Sequence, residues 1–273
     1  MLSSEIIVGD LEKIRNQAPL VHNITNYVAM NITANALLSI GASPVMAHAL
    51  DEVEDMVALA SALVINIGTL SQPWVEAMDK AIKAAEEKRI PVILDPVGAG
   101  ATAYRTTTAR RLLDSGPVAI IRGNASEIRS LVVTNAKTKG VDSLEGPEAA
   151  IEAGQLLSTK FNCAVSISGP IDIIIRGDEN VSIANGHPLM PRVTGLGCTA
   201  SALTGAFAAV NPDFLEAATG AMAVMGICGE LAAEKAQGPA SFELQFLDWL
   251  YLIDQKQITA RLKISIQDAD RRE

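Results

Sequence analysis

The residues with the clearest chemical potential lie in a glycine turn within VTGLGCTASALTGAF, residues 193–207. Gly195 and Gly197 leave backbone amides uncovered beside a predicted helix, whose first N–H groups and positive dipole end attract a negatively charged oxygen. Cys198 follows directly and adds a thiol to the same turn. The pattern predicts an anion-binding turn, but a glycine turn before a closely packed helix explains these letters equally well.

The same letters, GLGCTA, also fit a loose form of the dinucleotide-binding glycine turn. The context argues against that function, because the residues that follow are helical and lack the strand and the acidic residue expected about 20 positions later. The chain also has no GxxxxGK[ST] segment, so a P-loop does not hold the nucleotide.

A second group of polar residues lies in IIRGNASEI, residues 120–128, where a predicted strand ends at Arg122. Asn124 and Glu127 have the spacing of a helix capping box, which accounts for both without any ligand. In the functional alternative, the planar guanidinium of Arg122 binds a phosphate and Glu127 binds Mg²⁺ through water. These letters alone leave both interpretations open.

Two other predicted strands also end in polar residues. ILDPVGAGA places Asp95 beside flexible glycines, and AVSISGP places Ser168 directly before Gly169. Ligands of open α/β sheets bind at the carboxyl ends of the parallel strands. We therefore expect Asp95 and Ser168 to belong to the same site as the residues after Arg122.

The segment from residue 19 to residue 52 interleaves amides and hydroxyls with apolar residues, a pattern that suits recognition of a small neutral heterocycle. Most of these polar residues, including Asn31 and Asn35, are instead expected to cap helices and satisfy turns. By composition Met46 is an ordinary core residue of a buried β run. The histidines are widely spaced, show no metal-binding pattern and are read as structural residues.

Short β-branched runs alternate with longer helical patterns, which predicts an α/β fold with a mostly parallel sheet in a single domain, residues 1–273. A hairpin is expected after Ser168 with its turn near residues 178–180, and residues 197–253 are expected to be helical. The predicted strands are 20–24, 44–46, 63–67, 92–95, 118–121 and 164–168, and the predicted helices are 27–38, 53–61, 74–87, 105–113, 126–132 and 147–157.

Composition limits the classes of partner. The 273 residues include 22 Lys and Arg against 31 Asp and Glu, a formal net charge of −9 that disfavours binding to nucleic acid or to an anionic membrane surface. Residues 19–50 carry no charge, but their amides would be costly in lipid, so a buried, site-forming segment is expected there. Three widely separated cysteines fit a reducing cytoplasm.

Seven segments, in order along the chain, resemble the hydroxyethylthiazole kinase family: HNITNYVAMN, GASPVMA, INIGTL, LDPVGAGAT, IRGNASE, TGLGC and GPASF. The resemblance spans residues 19 to about 250. It implies a ribokinase-like fold and phosphorylation of the hydroxyl of 4-methyl-5-(2-hydroxyethyl)thiazole by ATP with Mg²⁺ in thiamine biosynthesis and salvage. It also implies a homotrimer with sites at the subunit interfaces.

The resemblance also implies roles for individual residues. Three letters depart from the family pattern: Ala240 in place of a usual Gly, Leu196 within the glycine turn, and Ser168 where Thr is frequent. The implied roles are thiazole binding by Asn26, Met46 and Gly195, catalysis by Cys198 with Gly195 and Gly197, ATP binding by Arg122, Ser168 and Asn124, and Mg²⁺ binding by Asp95 and Glu127.

Related sugar kinases place Asp where this chain has Cys198, so the resemblance implies a thiol in the place of the general base. A free thiol is mostly protonated at neutral pH, although a helix N-terminus can lower its pKa, so Cys198 is expected to be a partial base at best. Three alternatives stay open. They are a kinase for hydroxymethylpyrimidine or pyridoxine, a nucleotide-dependent dehydratase on the same fold, and a protein that senses thiazole or nucleotide without turnover.

Overall fold

A computed structural model of the chain describes residues 3–132 and 147–267. Within these residues nine strands form one sheet. The strands are β1 (Leu20–Ile24), β2 (Ser43–Val45), β3 (Ala62–Asn66), β4 (Val92–Asp95), β5 (Ile120–Asn124), β6 (Ala164–Ser168), β7 (Asp172–Arg176), β8 (Glu179–Ile183) and β9 (Ile264–Gln267).

The order of the strands across the sheet is β2-β1-β3-β4-β5-β6-β7-β8-β9. The first six in this order, β2 to β6, pair in parallel, whereas β7, β8 and β9 extend the sheet by antiparallel pairing. The carboxyl ends of the six parallel strands therefore meet at one edge of the sheet, where ligands of such folds bind.

Helices cover both faces of the sheet. The first face packs against α1, α2, α8 and α9, while the second packs against α3 to α7. The helices are α1 (Ser4–Gln17), α2 (Met30–Ile40), α3 (Val53–Leu59), α4 (Gln72–Lys88), α5 (Ala103–Leu113), α6 (Ala125–Val132), α7 (Pro147–Phe161), α8 (Leu196–Ala208), α9 (Phe214–Ala233), α10 (Pro239–Leu252) and α11 (Gln255–Arg261).

Strand β3 illustrates why the sheet is buried on both faces. Its apolar residues form a continuous run, as expected for a parallel strand covered on each side. Ala62 and Val64 join the core beneath α8, whereas Leu63 and Ile65 join the core beneath α4. Because side chains alternate along a strand, the next residue, Asn66, faces the α8 side.

The predicted α/β architecture is confirmed, and β1, β4 and β6 have the predicted bounds. Three predicted strands have different bounds: β3 begins and ends one residue earlier than predicted, at Ala62 and Asn66, and the other two differ for identifiable reasons. Strand β5 continues past residue 121, because its pairing with β6 extends to Asn124 opposite Ser168. Strand β2 ends at Val45, where its pairing with β1 stops, so Met46 follows the strand and is half-buried.

The predicted hairpin is confirmed as β7 and β8, but its turn is at Gly177 and Asp178, because Arg176 pairs with Glu179 and leaves a two-residue loop. The uncharged segment 19–50 folds as β1, α2 and β2. In the described part of the chain, α9 alone is long and apolar enough to cross a membrane, and 83% of its most apolar window is buried within the fold.

Candidate active site

Three polar side chains lie at or near the carboxyl ends of neighbouring strands and form a row across the sheet. Asn66 lies opposite Asp95 in the pairing of β3 with β4, and Arg122 occupies the corresponding position on β5. Alternation along each strand directs all three toward the face that α8 covers. Asn66 and Asp95 are each 1% exposed and Arg122 is 8% exposed, so the row is buried.

Helix α8 begins above this row at the glycine turn. Gly195 caps the helix with a φ of 85°, and its carbonyl accepts the first helical hydrogen bond, from the Thr199 amide at 2.8 Å. A Cβ at residue 195 would lie 2.7 Å from Cγ2 of Ile32, so both conformation and space require glycine. The helix begins one residue after Gly195, which places Gly197 within its first turn, where backbone amides have no intrahelical acceptor.

Arg122 connects the row to this turn. Its Nη1 donates to the carbonyl oxygen of Gly197 at 2.9 Å, which places the guanidinium beside the first turn of α8. Its Nε is buried and has no hydrogen-bond partner among the residues that the structure describes. The planar fork therefore keeps donor capacity next to uncovered backbone amides, an arrangement that suits an anion.

A chain of hydrogen bonds joins Cys198 to Asp95. Nδ2 of Asn26 donates to Sγ of Cys198 at 3.2 Å and to Oδ1 of Asn66 at 2.8 Å. Nδ2 of Asn66 in turn donates to Oδ2 of Asp95 at 2.8 Å. Ser201, three residues after Cys198 and therefore on the same face of α8, donates to the same Asp95 oxygen at 2.7 Å.

Burial sets the protonation of Asp95 and Cys198, the two titratable groups that these hydrogen bonds connect. It raises the pKa of Asp95 to about 7, against the lowering effect of the Arg122 charge. It also raises the pKa of the Cys198 thiol, and the nearby Asp95 charge raises it further, while the Asn26 hydrogen bond opposes both. Because a thiol is already mostly protonated at neutral pH, this upward shift in pKa keeps Cys198 in the thiol form.

Asn124 and Glu127 form the predicted capping box at the start of α6. Oδ1 of Asn124 accepts from the Glu127 amide at 3.0 Å, and Oε2 of Glu127 accepts from the Asn124 amide at 2.8 Å. Oε1 of Glu127 accepts from the Gly98 amide at 2.8 Å, which attaches the loop after β4 to α6. The capping interpretation is confirmed, and a metal-binding role for Glu127 stays a prediction.

The two remaining predicted residues lie at opposite ends of the row. Ser168 ends β6 and donates to the Gly123 carbonyl at 3.4 Å, beside the phosphate-binding candidates. Met46 follows β2, which pairs with β1 at the other edge of the sheet, next to the strand that precedes Asn26. With strands about 4.8 Å apart, the five spacings from β2 to β6 make the sheet edge that contains the row roughly 24 Å long.

Two residues of the site, Asn66 and Ser201, are not among those predicted from the sequence. Asn66 carries the signal that identified Asp95, a polar residue at the end of a buried strand, directly before INIGTL turns at Gly68. Ser201 gives no such signal, because a small hydroxyl residue in a closely packed helix is common. Only the position of α8 over β4 shows that this hydroxyl contacts Asp95.

Comparison with known proteins agrees with this geometry. A family model described as the hydroxyethylthiazole kinase family matches residues 11–256. A hydroxyethylthiazole kinase of Syntrophus aciditrophicus is 59% identical over 255 residues, which cover 93% of this chain and 94% of the relative.

Solved structures confirm the fold. The hydroxyethylthiazole kinase of Pyrococcus horikoshii OT3 superposes with a TM-score of 0.89 at 44% identity, covering 97% of this chain and 100% of that structure. A ribokinase-like superfamily protein from Enterococcus faecalis V583 superposes with a TM-score of 0.65 at 13% identity over 93% of this chain and 96% of its own, which shows the fold alone. The match of sequence and fold over nearly the whole chain means that it belongs to the hydroxyethylthiazole kinase family.

Proposed function

We propose that this chain transfers a phosphoryl group from ATP to the hydroxyl of 4-methyl-5-(2-hydroxyethyl)thiazole, in thiamine biosynthesis and salvage. The observation that carries the proposal is the hydrogen-bonded chain from Asn26 through Asn66 to Asp95. It joins a neutral amide suited to a heterocycle with a carboxylate suited to phosphate and metal chemistry.

The thiazole binds at the β1 and β2 end of the row. Asn26 supplies a directional polar contact, and the half-buried Met46 supplies an adaptable apolar one. Cys198 and Gly195 lie at the start of α8, where the hydroxyethyl group reaches the reacting phosphate. The Asn26 to Cys198 hydrogen bond of 3.2 Å supports this placement, because it joins the thiazole side to the helix start.

ATP binds at the opposite end, at β5 and β6, with Arg122, Asn124 and Ser168 as its contacts. Phosphoryl transfer creates charge on equatorial oxygens, and donors already in place stabilise that charge without reorganisation. The first-turn amides of α8 at Gly197 and Cys198 are such donors, and the Arg122 guanidinium lies beside them.

Two carboxylates suit Mg²⁺, which usually binds proteins through one or two carboxylates together with waters and substrate phosphates. Both side-chain hydrogen bonds to Asp95 end on Oδ2, and no described residue hydrogen-bonds to Oδ1. Each Glu127 oxygen accepts one hydrogen bond and can accept more. Asp95 and Glu127 would hold the ion, and when bound it supplies positive charge that neutralises the transferring phosphoryl group.

Proton removal from the substrate hydroxyl contributes the smaller part of catalysis. Most of the acceleration of a loose phosphoryl transfer comes from alignment and charge stabilisation. Cys198 accepts a hydrogen bond from Asn26 and has a raised pKa. The protonated thiol therefore orients the substrate hydroxyl, and only the small thiolate fraction can accept its proton.

We also propose a homotrimer in the cytoplasm, with no nucleic-acid or membrane partner. The net charge of −9 supports the last two statements. All three cysteines are free, which supports a reducing compartment. Exposed apolar side chains in the segment 19–50, among them Tyr27 and Leu38, support a subunit contact there.

The test is ADP formation by the purified chain with ATP and Mg²⁺, with hydroxyethylthiazole, hydroxymethylpyrimidine and pyridoxine offered separately. We expect ADP formation that depends on the alcohol, with kcat/KM highest for the thiazole and a thiazole phosphate as product. A higher kcat/KM for another alcohol contradicts the proposed substrate. Thiazole binding by calorimetry without ADP formation favours a sensor instead.

A further inference from the structure

We infer that Asn66 is a positioning residue that couples the alcohol side of the site to its phosphate side, an inference that rests on the proposed function. Asn66 ends β3 and is 1% exposed. Its Oδ1 accepts from Nδ2 of Asn26 at 2.8 Å and from the Gly68 amide at 3.0 Å, and its Nδ2 donates to Oδ2 of Asp95 at 2.8 Å.

Backbone amides fix the direction of both side-chain amides. A backbone N–H only donates, so the Asn66 atom that faces the Gly68 amide is the carbonyl oxygen, and the Asn66 NH₂ group faces Asp95. In the same way the Ala29 amide donates to Oδ1 of Asn26 at 3.1 Å, which directs the Asn26 NH₂ group toward Asn66 and Cys198. The side-chain hydrogen bonds therefore all run in one direction, with Asn26 donating to Asn66 and Asn66 donating to Asp95.

The backbone two residues after Asn66 packs closely against Asn26. A Cβ at residue 68 would lie 2.5 Å from Nδ2 of Asn26, so the Gly68 backbone approaches this amide as closely as glycine permits. Oδ1 of Asn66 is occupied by two protein donors, which leaves Asn66 to act through its neighbours. Removing Asn66 therefore releases the substrate-side amide and the Asp95 carboxylate together.

Ser201 provides a matched comparison. It donates to the same Asp95 oxygen as Asn66, at 2.7 Å against 2.8 Å, but its hydroxyl makes no hydrogen bond to Asn26 within the described residues. Ser201→Ala therefore removes one support of Asp95 alone. Thr204→Val, one turn farther along α8, removes an equally buried hydroxyl whose one hydrogen bond to the described part of the chain is to the Ala200 carbonyl, so it controls for packing.

The kinetic test compares Asn66→Ala, Asn26→Ala, their double variant, Ser201→Ala and Thr204→Val. Asn66→Ala is expected to raise the KM for thiazole about tenfold and to lower kcat, because it frees both neighbours. Ser201→Ala is expected to lower kcat with the KM for thiazole unchanged, and Thr204→Val to change neither. If Asn66 acts through Asn26, the double variant has the same KM for thiazole as Asn26→Ala within about twofold.

The inference is wrong if the KM for thiazole in the double variant rises by the product of the two single-variant effects. It is also wrong if this KM is unchanged in Asn66→Ala. Folding of each variant is checked by its unfolding midpoint. If Asn66→Ala does not fold, Asn66→Ser replaces it. Its hydroxyl can still accept from the Gly68 amide in a local turn, but it is too short to span to Asn26 or Asp95.

A second measurement does not depend on kinase activity. Cys198 is half-buried while Cys163 and Cys228 are buried, so a small alkylating reagent modifies Cys198 selectively. The pH midpoint of that reaction reports the Cys198 thiol and is expected to rise by about half a pH unit or more in Asn66→Ala, because hydrogen bonds from Asn66 and from the Asn26 amide that it orients both lower the pKa of this thiol. Ser201→Ala is expected to leave the midpoint unchanged. An unchanged midpoint in Asn66→Ala contradicts the inference, whereas absence of thiazole-dependent ADP formation by the unsubstituted chain contradicts the proposed function alone.

Discussion

At the scale of single residues, the hydrogen bonds around Cys198 define what its thiol can do. The sulfur accepts from Asn26, and its pKa is raised by burial and by the Asp95 charge. A thiol that is protonated at neutral pH cannot supply most of a general-base effect, which is worth roughly 10² to 10⁴ in rate. Charge stabilisation at the start of α8 must then account for more of the catalysis than Cys198 does.

Substitution of Cys198 distinguishes this arrangement from covalent catalysis. Cys198→Asp is expected to retain turnover, because a carboxylate at this position orients the substrate hydroxyl and accepts its proton. Cys198→Ala is expected to be slower by less than about 10²-fold, because it leaves the backbone amides in place. The measurement is kcat at saturating ATP, Mg²⁺ and thiazole. A folded Cys198→Asp protein without turnover contradicts the partial-base assignment.

Arg122 provides a prediction for the phosphate side. Arg122→Ala is expected to raise the KM for ATP by about tenfold or more, since a charge-assisted contact contributes roughly 1.5 to 3 kcal/mol. The KM for thiazole is expected to change little. Arg176→Ala is the matched control, because Arg176 lies on β7 and its guanidinium contacts Asp213, outside the site. Unchanged KM for ATP and unchanged kcat in Arg122→Ala refute the assignment.

Much of the site follows from one sequence rule, that polar residues at the ends of buried strands face a shared edge. The rule identified Asp95, Arg122 and Ser168, and Asn66 satisfies it equally well. It cannot identify Ser201, because contact between α8 and β4 depends on tertiary packing. Nor can it show that burial raises the pKa of Cys198, since burial depends on every element around the turn.

At the scale of elements, the position of α8 is the feature that assembles the site. The helix packs over β1, β3 and β4, and the Gly197 carbonyl in its first turn accepts from Arg122 of β5. Its residues 198 and 201 share one face because they are three apart. The apolar periodicity predicted the helix and the strands beneath it. The extension of β5 and the strand β9 were not predicted, because hydrogen bonding to a distant strand leaves no local pattern in the sequence.

The start of α8 is sensitive to one glycine. Gly195→Ala is expected to lower kcat and the unfolding midpoint together, because φ is 85° and the new Cβ would lie 2.7 Å from Cγ2 of Ile32. Gly177→Ala is the control, since Gly177 also has a positive φ, 58°, but a Cβ there meets nothing within 4 Å. The control is expected to lose stability by about 1 kcal/mol with kcat unchanged. Equal kcat in the two variants contradicts a role for the turn in catalysis.

At the scale of the whole molecule, Asp172 links stability to pH. Burial raises its pKa to about 6 from 3.8, against the Gly169 amide that donates to its Oδ1 at 3.0 Å. The folded protein thus holds this proton more tightly than the unfolded chain, so its contribution to stability is present below about pH 4 and is lost as pH rises through 6.

Asp172→Asn removes this dependence while keeping the size of the side chain. We compare the unfolding free energy of the variant with that of the unsubstituted protein at each pH. Between pH 4 and pH 7.5 the variant is expected to gain about 1 to 3 kcal/mol of stability relative to the unsubstituted protein. Urea unfolding at both pH values measures the difference, in which titration of all other groups cancels. A difference that is independent of pH shows that Asp172 has no raised pKa.

Exposed apolar side chains in the segment 19–50 bear on how the protein assembles. The uncharged segment 19–50 forms the buried strand β1, helix α2 and the half-buried strand β2, yet Tyr27, Val28 and Leu38 in it are 64%, 61% and 60% exposed. Large apolar side chains at this exposure indicate an interaction surface along the segment. Because Asn26 directly precedes Tyr27, a subunit contact there would adjoin the thiazole end of the row.

We therefore expect the protein to sediment as a trimer at micromolar concentration, and Leu38→Asp to weaken that assembly, because it places a charge within an apolar contact. The KM for thiazole is expected to rise together with dissociation, since the contact adjoins Asn26. Leu156→Asp is the control, with a side chain that is 46% exposed on α7, which packs on the opposite face of the sheet. The control is expected to remain trimeric with unchanged KM. A fully active monomer, or equal sedimentation of the two variants, contradicts a subunit contact at this segment.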